Sequence, residues 1–476
     1  MPIPSSVQAV TSHNFVGAAQ LLQSALKPQY ENKLYKRYGD QNMVGLISLL
    51  GGMNPIAGLE FMHSEQDWLH EILMVSANNS NYGAGAMGTY TIAAPYQYSY
   101  PSAPISPYIS STTTATSPLL ATGSGEIIEF PNGVQAVVDV VTATTFTCFP
   151  KISTESLPNT TVTDEIIIVG VQKQEGSTVN GSHDFRTILY KNDMQISDGS
   201  HESTGSAMAE QIWFEAAGLN GKKGWLWYYM AQLAEYVTVR NKREVQMLIG
   251  KKTTNTTLAN TAGYDTSMST EGLIPFIENY GNIANWNNIN GITLQNWENM
   301  ITTQLDRNIG SYENAVYAAI ELRKLIDRFI RIEMKAGGVT YNMFDGDEKQ
   351  AVNFGFDGFK SLGYTFLLKT YNVFNYKNLL GADGHKYKDM AIIVPTDKKV
   401  RTIGYEGKSE MVPNIRMNYQ SQKPAGGTLS RDWEEWVTGG TMGVYTNQTD
   451  KVSINWRSTY GFEGFAANRF VAFEKI

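Results

Sequence analysis

Residues 72–125 contain no Asp, Glu, Lys, Arg or His, a run of 54 uncharged positions. From Asn78 onward the run is rich in Tyr, Ser, Thr, Pro, Ala and Gly. It holds too few large aliphatic side chains to build a core of its own, and it lacks the net charge that normally keeps a disordered segment in solution. Such a stretch reads as extended and lying on another surface. The competing reading is a neutral linker.

Around this run the chain carries ordinary globular signals. Hydrophobic residues make up 42% and aromatics 11% of 476 residues, which excludes wholesale disorder and suggests two or three domains. Charged residues are only 17% and the formal net charge is −7, so a uniformly basic nucleic-acid binder is excluded while a local basic face is not. Cys148 is the sole cysteine, which rules out an internal disulfide framework and a cysteine-built zinc site. The opening Met1-Pro2-Ile3-Pro4-Ser5 lacks the basic and apolar regions of a signal peptide. The longest nearly apolar stretch, 43–53, is too short and glycine-rich to span a bilayer. A soluble protein made inside a cell, without a membrane partner, is expected.

Periodicity predicts a short helix over 15–26 and a second over 59–77, whose Phe61, Trp68, Ile72 and Val75 fall on one stripe. Residues 126–175 read as a small β-barrel or sandwich. Its strands are expected at 126–130, 134–141, 144–149 and 165–172, with Pro131-Asn132-Gly133 as a turn. A polar segment, 175–205, leads out of it. Helices are then expected over 206–217 and, as the longest of the chain, 225–249, with Leu226, Met230, Leu233, Val237, Val245 and Leu248 on one face. Thr293 can cap a helix whose Leu294, Trp297, Ile301 and Leu305 face inward and which Gly310 ends. A further helix is expected over 312–335 with Leu322, Leu325, Phe329 and Ile332 inside. Strands follow at 364–369, 390–394, 443–446, 452–456 and 469–474. The class is α+β.

Few motifs carry chemistry. Gly83-Ala84-Gly85-Ala86-Met87-Gly88 matches the dinucleotide fingerprint, but no strand precedes it, no helix follows it and no acid occurs before Glu126. Glycines that let an arm hug a neighbouring surface explain it better. Lys222-Lys223 lacks phosphate-loop spacing, and Asp345-Gly346-Asp347-Glu348 lacks the alternating ligands of a calcium loop. His183-Asp184 and His201-Glu202 fit no helical ligand pair and read as surface groups. Cys148 sits in a β run and reads as an inert buried thiol. The sequence therefore points to no enzyme, no catalytic residue, no cofactor and no metal. Lys222, Lys223, Arg240, Lys242, Arg243, Lys251 and Lys252 outnumber Glu235 and Glu244 along the long-helix segment. A solvated helix face accounts for them, and a weak, sequence-independent contact with polyphosphate is the alternative.

Two stretches carry a resemblance. One is Gly205-Ser206-Ala207-Met208-Ala209-Glu210-Gln211-Ile212-Trp213, leading into Trp225-Leu226-Trp227-Tyr228-Tyr229-Met230. The other is Val452-Ser453-Ile454-Asn455-Trp456-Arg457, followed by Asn468-Arg469-Phe470-Val471-Ala472-Phe473. With the order of neutral arm, β insert, long helix, mixed domain and closing strands, they resemble the major capsid proteins of tailed bacteriophages, the Hong Kong 97-type fold. The likeness is nearest to crAss-like phages of gut Bacteroidales.

The resemblance implies an N-terminal arm (1–45) and a peripheral domain assembled from 46–77, the spine helices of 206–255 and the closing strands of 426–476. It also implies an extended loop (78–205) with the β insertion at about 121–177, and an axial domain (256–425). The protein would self-assemble as hexamers and pentamers into an icosahedral shell around double-stranded DNA, in the virion, after assembly in the host bacterial cytoplasm. Portal and auxiliary or decoration proteins would be partners. The uncharged arm would lie across a neighbouring subunit without stranding buried charge, and Tyr90, Tyr96, Tyr98, Tyr100 and Tyr108 would anchor it. Arg240, Lys242 and Arg243 would face packaged DNA on the inner surface. The long helical scaffolding segment of some relatives is not seen ahead of the match, so scaffolding would be a separate protein or dispensed with. The outgoing limb has no lysine for an isopeptide cross-link, and Lys173 and Lys191 read as surface lysines. The alternatives are an encapsulin-like nanocompartment shell and, from another class, a glycan-binding surface β protein.

Overall fold

A computed structural model describes residues 52–66, 72–91, 125–141, 145–162, 164–177, 187–217, 223–254, 268–286, 292–336, 358–396, 400–401, 411–423, 426–441 and 443–475. The described residues fall into two compact units, one drawn from Asp198–Arg240 and Glu435–Trp456 and the other from 52–197, Asn241–Glu434 and 457–475.

In chain order, β1 (Gly52–Ile56), β2 (Glu60–Gln66), β3 (Ile72–Met74) and β4 (Gly88–Thr91) come first. Next are β5 (Glu126–Glu129), β6 (Gln135–Val141), β7 (Thr145–Pro150) and β8 (Glu165–Val171), then β9 (Thr187–Asp193) and β10 (Gln195–Thr204). Helix α1 (Gly205–Ala209), β11 (Gln211–Ala217), β12 (Lys223–Leu226) and the long α2 (Trp227–Ile249) follow. The middle of the chain alternates: α3 (Leu273–Tyr280), β13 (Asn282–Trp286), α4 (Leu294–Met300), β14 (Glu313–Ala318) and α5 (Ile320–Ala336). It continues with β15 (Gly358–Ser361), β16 (Tyr364–Thr370), β17 (Ala391–Pro395), β18 (Val400–Arg401) and β19 (Met411–Val412). The last strands are β20 (Ile415–Gln420), β21 (Glu434–Thr441), β22 (Val444–Tyr445), β23 (Lys451–Gly464) and β24 (Val471–Lys475).

The centre of the larger unit is a mixed sheet in the order β13-β24-β17-β14-β16-β15. Alternation along its strands feeds two cores. Ala315, Tyr317, Ile392, Val394 and Ala472 join the α3 side, and Val316, Ala318, Ile393, Val471 and Phe473 join the α4–α5 side. Covered on both faces, β14 is buried from Asn314 to Ala318. This corrects the helix expected over 312–335, which starts only at Ile320. A doubly covered strand reads as a continuous apolar run that periodicity cannot tell from a buried helix. Ile332, expected inside, is 54% exposed, while Ile326 and Ile330 are buried in its stead.

The helix expected over 59–77 is instead two strands. In β2, Phe61 is buried and Met62 exposed, and the strand pairs antiparallel with β9 from Glu60↔Asp193 to Gln66↔Thr187. That partner lies more than 120 residues away, so no local pattern announces it. The polar exit, 175–205, contains β9 and β10 for the same reason, and β10 alternates half-buried and exposed residues throughout. The helix expected over 206–217 is only α1. Thr204 caps it by accepting from the Ala207 N–H, Glu210 turns extended, and the β-favouring Ile212-Trp213-Phe214 continue as β11. Helix α2 runs to Ile249 as expected but starts at Trp227, because Trp225 and the expected face residue Leu226 belong to β12. The Thr293 cap of α4 and the stop at Gly310, whose N–H donates to Leu305 O at 2.6 Å, are as expected. A π-helical turn, Ile301–Asp306, lies between α4 and that stop. The helix expected over 15–26 lies outside the described residues.

In the smaller unit, the leading part of β23 carries β10 on one side and β21, extended by β22, on the other. In the larger unit, β1 runs parallel to β20, and β20 antiparallel to the later part of β23.

Candidate functional site

The residues that bound the uncharged run fold onto one small sheet. Its order is β3-β8-β5-β6-β7-β4, all neighbours antiparallel, and the chain running on from β3 bonds back to β4, the Ser76 N–H donating to Thr91 O at 2.9 Å. The four strands expected are present as neighbours in this one sheet, and its two end strands are tied to each other by the Ser76–Thr91 bond and by Asn78 Nδ2, which donates to Thr89 O at 2.8 Å. Gly133 takes φ +84° at the β5–β6 turn, the left-handed conformation for which a glycine is suited. One face is a core of Val75, Tyr90, Phe130, Val138, Phe146 and Ile166, covered by Leu157 from the loop after β7.

Tyr90 lies at the centre of that core. It is fully buried, its ring 5.0 Å from Phe130 and 5.6 Å from Phe146, and its hydroxyl donates to Pro158 O at 2.7 Å. Burial pushes its phenol well above the usual range. The first expected anchor is therefore packed inside its own subunit, because β4 pairs with β7 and turns Tyr90 inward. Tyr96, Tyr98, Tyr100 and Tyr108 lie outside the described residues. Cys148, opposite Gly88 in the register, is also fully buried, and burial lifts its thiol to about 12. In the glycine motif at 83–88, packing requires Gly88 and a turn requires Gly85, while Gly83 stands in open space. A Cβ on Gly88 would sit 2.6 Å from Leu157 Cδ1, and Gly85 turns with φ +70°.

The uncharged run leaves this sheet at Thr91 and rejoins it at Gly125, whose N–H donates to Val138 O at 2.6 Å. Thr91 pairs with Thr145, and the pairings of β7 with β6 and β6 with β5 put both ends of the run at the same end of the sheet. They are three strand spacings apart, roughly 14 Å at ~4.8 Å each.

The structure separates the three basic residues of α2. Arg240 and Lys242 are exposed, whereas Arg243 is half-buried. Arg243 Nη1 donates to Asp432 O at 3.1 Å and Ser458 Oγ at 3.2 Å and pairs with the Asp432 carboxylate, while its guanidinium lies 5.6 Å from the Tyr460 ring. Its charge is committed within the chain. Lys252 pairs with Asp193 at 2.7 Å and Lys191 with Glu60 at 2.7 Å; Lys173 is exposed.

His201 lies on β10, 3.1 Å from Ser203 Oγ, and burial lowers its pKa. Glu202 accepts from Lys451 Nζ at 2.8 Å and Ser453 Oγ at 3.0 Å, a cross-strand tie. His183-Asp184 and 345–348 lie outside the described residues. Among the described residues no group of three or more His, Cys, Asp or Glu is placed to hold a metal ion, and no helix is long and apolar enough to cross a membrane.

Sequence reasoning missed a buried polar cluster. Glu463 Oε1 lies 2.9 Å from His63 Nδ1, and Glu463 Oε2 accepts from Arg416 Nε at 2.6 Å and Asn418 Nδ2 at 2.7 Å. His63 Nε2 faces Glu65 Oε1 at 3.2 Å, which in turn accepts from the Ala466 N–H at 2.8 Å. The partners are up to 401 positions apart, so only the assembled strands reveal them.

No family model matches the chain, and no curated protein matches it in sequence. Among solved structures it is similar to the capsid structure of the cyanophage P-SCSP1u, at 7% identity and a TM-score of 0.40 over 95% of this chain and 94% of that one. It is also similar to a structure from Gordonia phage Cozz, at 9% identity and a TM-score of 0.38 over 99% and 98%. The holo-SrpI encapsulin complex from Synechococcus elongatus PCC 7942 aligns at 10% identity and a TM-score of 0.30 over 61% of this chain and 77% of that one. At these values the overlays decide nothing by themselves, and what the chain can do is carried by its own residues.

Proposed function

We propose that this chain is a capsid shell protein of a tailed, double-stranded DNA bacteriophage, with the Hong Kong 97-type arrangement read from its sequence. The observation that supports this is the surplus of the uncharged run. Two sheet ends roughly 14 Å apart need about five extended residues to join them. Residues 92–124 supply 33, none charged. A projection of that length without charge is poorly suited to water and well suited to being covered by another subunit. Repetition by symmetry then lets moderate contacts build a durable shell, as hexamers and pentamers of one chain. Arg240 and Lys242 are the exposed cations of α2 that could meet packaged DNA without sequence preference, and portal and auxiliary head proteins would be the other partners.

The test is electron microscopy of the purified chain and of a variant in which 94–122 is replaced by a short Gly-Ser linker. A deletion starting at 83 would remove β4 and with it Tyr90 from the insert core. The shorter replacement keeps the sheet. Closed shells or capsomer rings from the parent, and a folded variant by circular dichroism that forms neither, are expected. Intact shells from the variant would sink the assignment.

A further inference from the structure

The insert sheet has a second face, and it is apolar too. Ile127, Val137 and Phe149 lie side by side in the register on β5, β6 and β7, and Ile167, Val169 and Val171 continue along β8. In the single chain Phe149 is 42%, Ile167 49%, Val169 51% and Val171 54% exposed. Two of the three carboxylates on this face are paired within the chain: Glu129 accepts from Gln135 Nε2 at 2.8 Å, and Glu165 takes Arg307 Nη2 at 3.0 and 3.1 Å, while Asp139 lies exposed farther along β6. A contiguous face of β-branched and aromatic side chains, with Glu129 and Glu165 paired within the chain, is a surface that awaits cover.

We propose that this face is the seat for residues 92–124 of a second copy of the chain. This rests on the reading of the uncharged run as an arm that reaches a neighbour, and it names the surface the arm lies on. Three observations converge on this occupant. The segment is uncharged, so burying it against Ile167, Val169 and Phe149 strands no charge. It contains Pro95, Pro101, Pro104, Pro107 and Pro118, which bars it from the middle of a hydrogen-bonded layer and suits it to lying extended on side chains. It is tethered at both ends to one end of its own sheet, and its 33 residues reach out and back over roughly 50 Å at ~3.3 Å per residue. The strands of the sheet are at most seven residues, roughly 23 Å, so the arm exceeds its own sheet by about twofold. The same face stays half exposed in the single chain.

The test replaces Phe149 with the photo-crosslinking analogue benzoylphenylalanine and mixes equal amounts of 14N- and 15N-labelled full-length chain before assembly and irradiation. Mass spectrometry of the digest is expected to find Phe149-site cross-links to peptides from 92–124, half of them carrying both labels, as random mixing of two equal populations requires. Cross-links that never mix labels place the segment on its own sheet and overturn the proposal, as do cross-links to other segments or none at all. The same analogue at Val171, an exposed site outside the Ile127–Val137–Phe149 row, repeats the experiment should the first variant not fold. Adding Ile167→Asn and Val169→Asn should lower the mixed-label yield several-fold with the circular dichroism spectrum unchanged. Electron microscopy of the same samples separates the two claims: shells with unmixed cross-links overturn this seat alone, and mixed cross-links without shells or capsomers overturn the shell alone.

Discussion

Replacing Glu463 with Gln should cost about as much as any single conservative substitution in this chain. The side chain is 2% exposed and accepts from Arg416 Nε and Asn418 Nδ2 while facing His63 Nδ1. Burial, the largest influence, would raise its carboxyl; the His63 and Arg416 hydrogen bonds and the Arg416 charge outweigh it and pull the group from an ordinary 4.5 to about 2. At ~1.36 kcal/mol per pH unit, that difference is about 3 kcal/mol. Removing one member of a buried pair independently suggests roughly 3–5 kcal/mol. Gln keeps the shape but turns one acceptor into a donor that faces other donors. A carboxyl depressed in the folded state stabilises above its unfolded pKa and loses that contribution as pH falls through the folded one. The gap between parent and variant in urea unfolding should therefore be about 3 kcal/mol at pH 6 and fall by roughly half at pH 3. His63 acts with the opposite sign. Burial would lower its pKa, but Glu463 and Glu65 together raise it above 6.5, so its contribution is present below 6.5 and fades as pH climbs through the raised value. The gap should thus narrow again in alkali. A gap under ~1 kcal/mol at pH 6, or one that is flat from pH 3 to pH 6, would refute the argument.

Gly88→Ala should destabilise the insert by roughly 1–3 kcal/mol through overpacking, since its Cβ would meet Leu157 at 2.6 Å; thermal unfolding that is unchanged or improved would contradict this. Cys148 should not react with a thiol reagent at pH 8 in the native protein and should react fully in urea, because burial both hides the thiol and lifts it to about 12. Thr293→Ala should cost about 1 kcal/mol by removing the acceptor for the Asn296 N–H, and Thr293→Ser should restore it.

What was legible in the sequence was what local chemistry decides. The strands of the insert show period two and a Pro-Asn-Gly turn, and they appear within a residue or so of their expected places. The spine helix is long enough for its pattern to be unambiguous, and Thr293 and Gly310 mark the ends of their helix by capping chemistry. Partners remote in sequence were invisible. Phe61 and Trp68 fall on a helical stripe, yet β2 is a strand because β9 supplies its hydrogen bonds from across the insert. Ala315 to Ala318 look helical next to α5 because both faces of β14 are covered. Tyr90 looked like an outward anchor because its composition matches the arm that follows; only the β4–β7 pairing turns it inward.

The charges of the chain follow one division. Arg243, Arg416 and Arg307 each hold a carboxylate within the chain, and Lys451 ties β23 to β10 through Glu202. Buried or half-buried ion pairs add little net stability over apolar packing, but they fix which strands meet, since a misregistered partner leaves a charge stranded. Contacts between copies need the opposite property: many repeated surfaces, each weak enough to be corrected during growth. An uncharged arm facing an apolar sheet offers that, because apolar contact is non-directional and tolerates small shifts that a charge pair would punish. On the proposed seat, charge inside the subunit sets register and neutrality outside it serves association, which joins the Glu463 cluster and the uncharged residues 92–124 in one physical design.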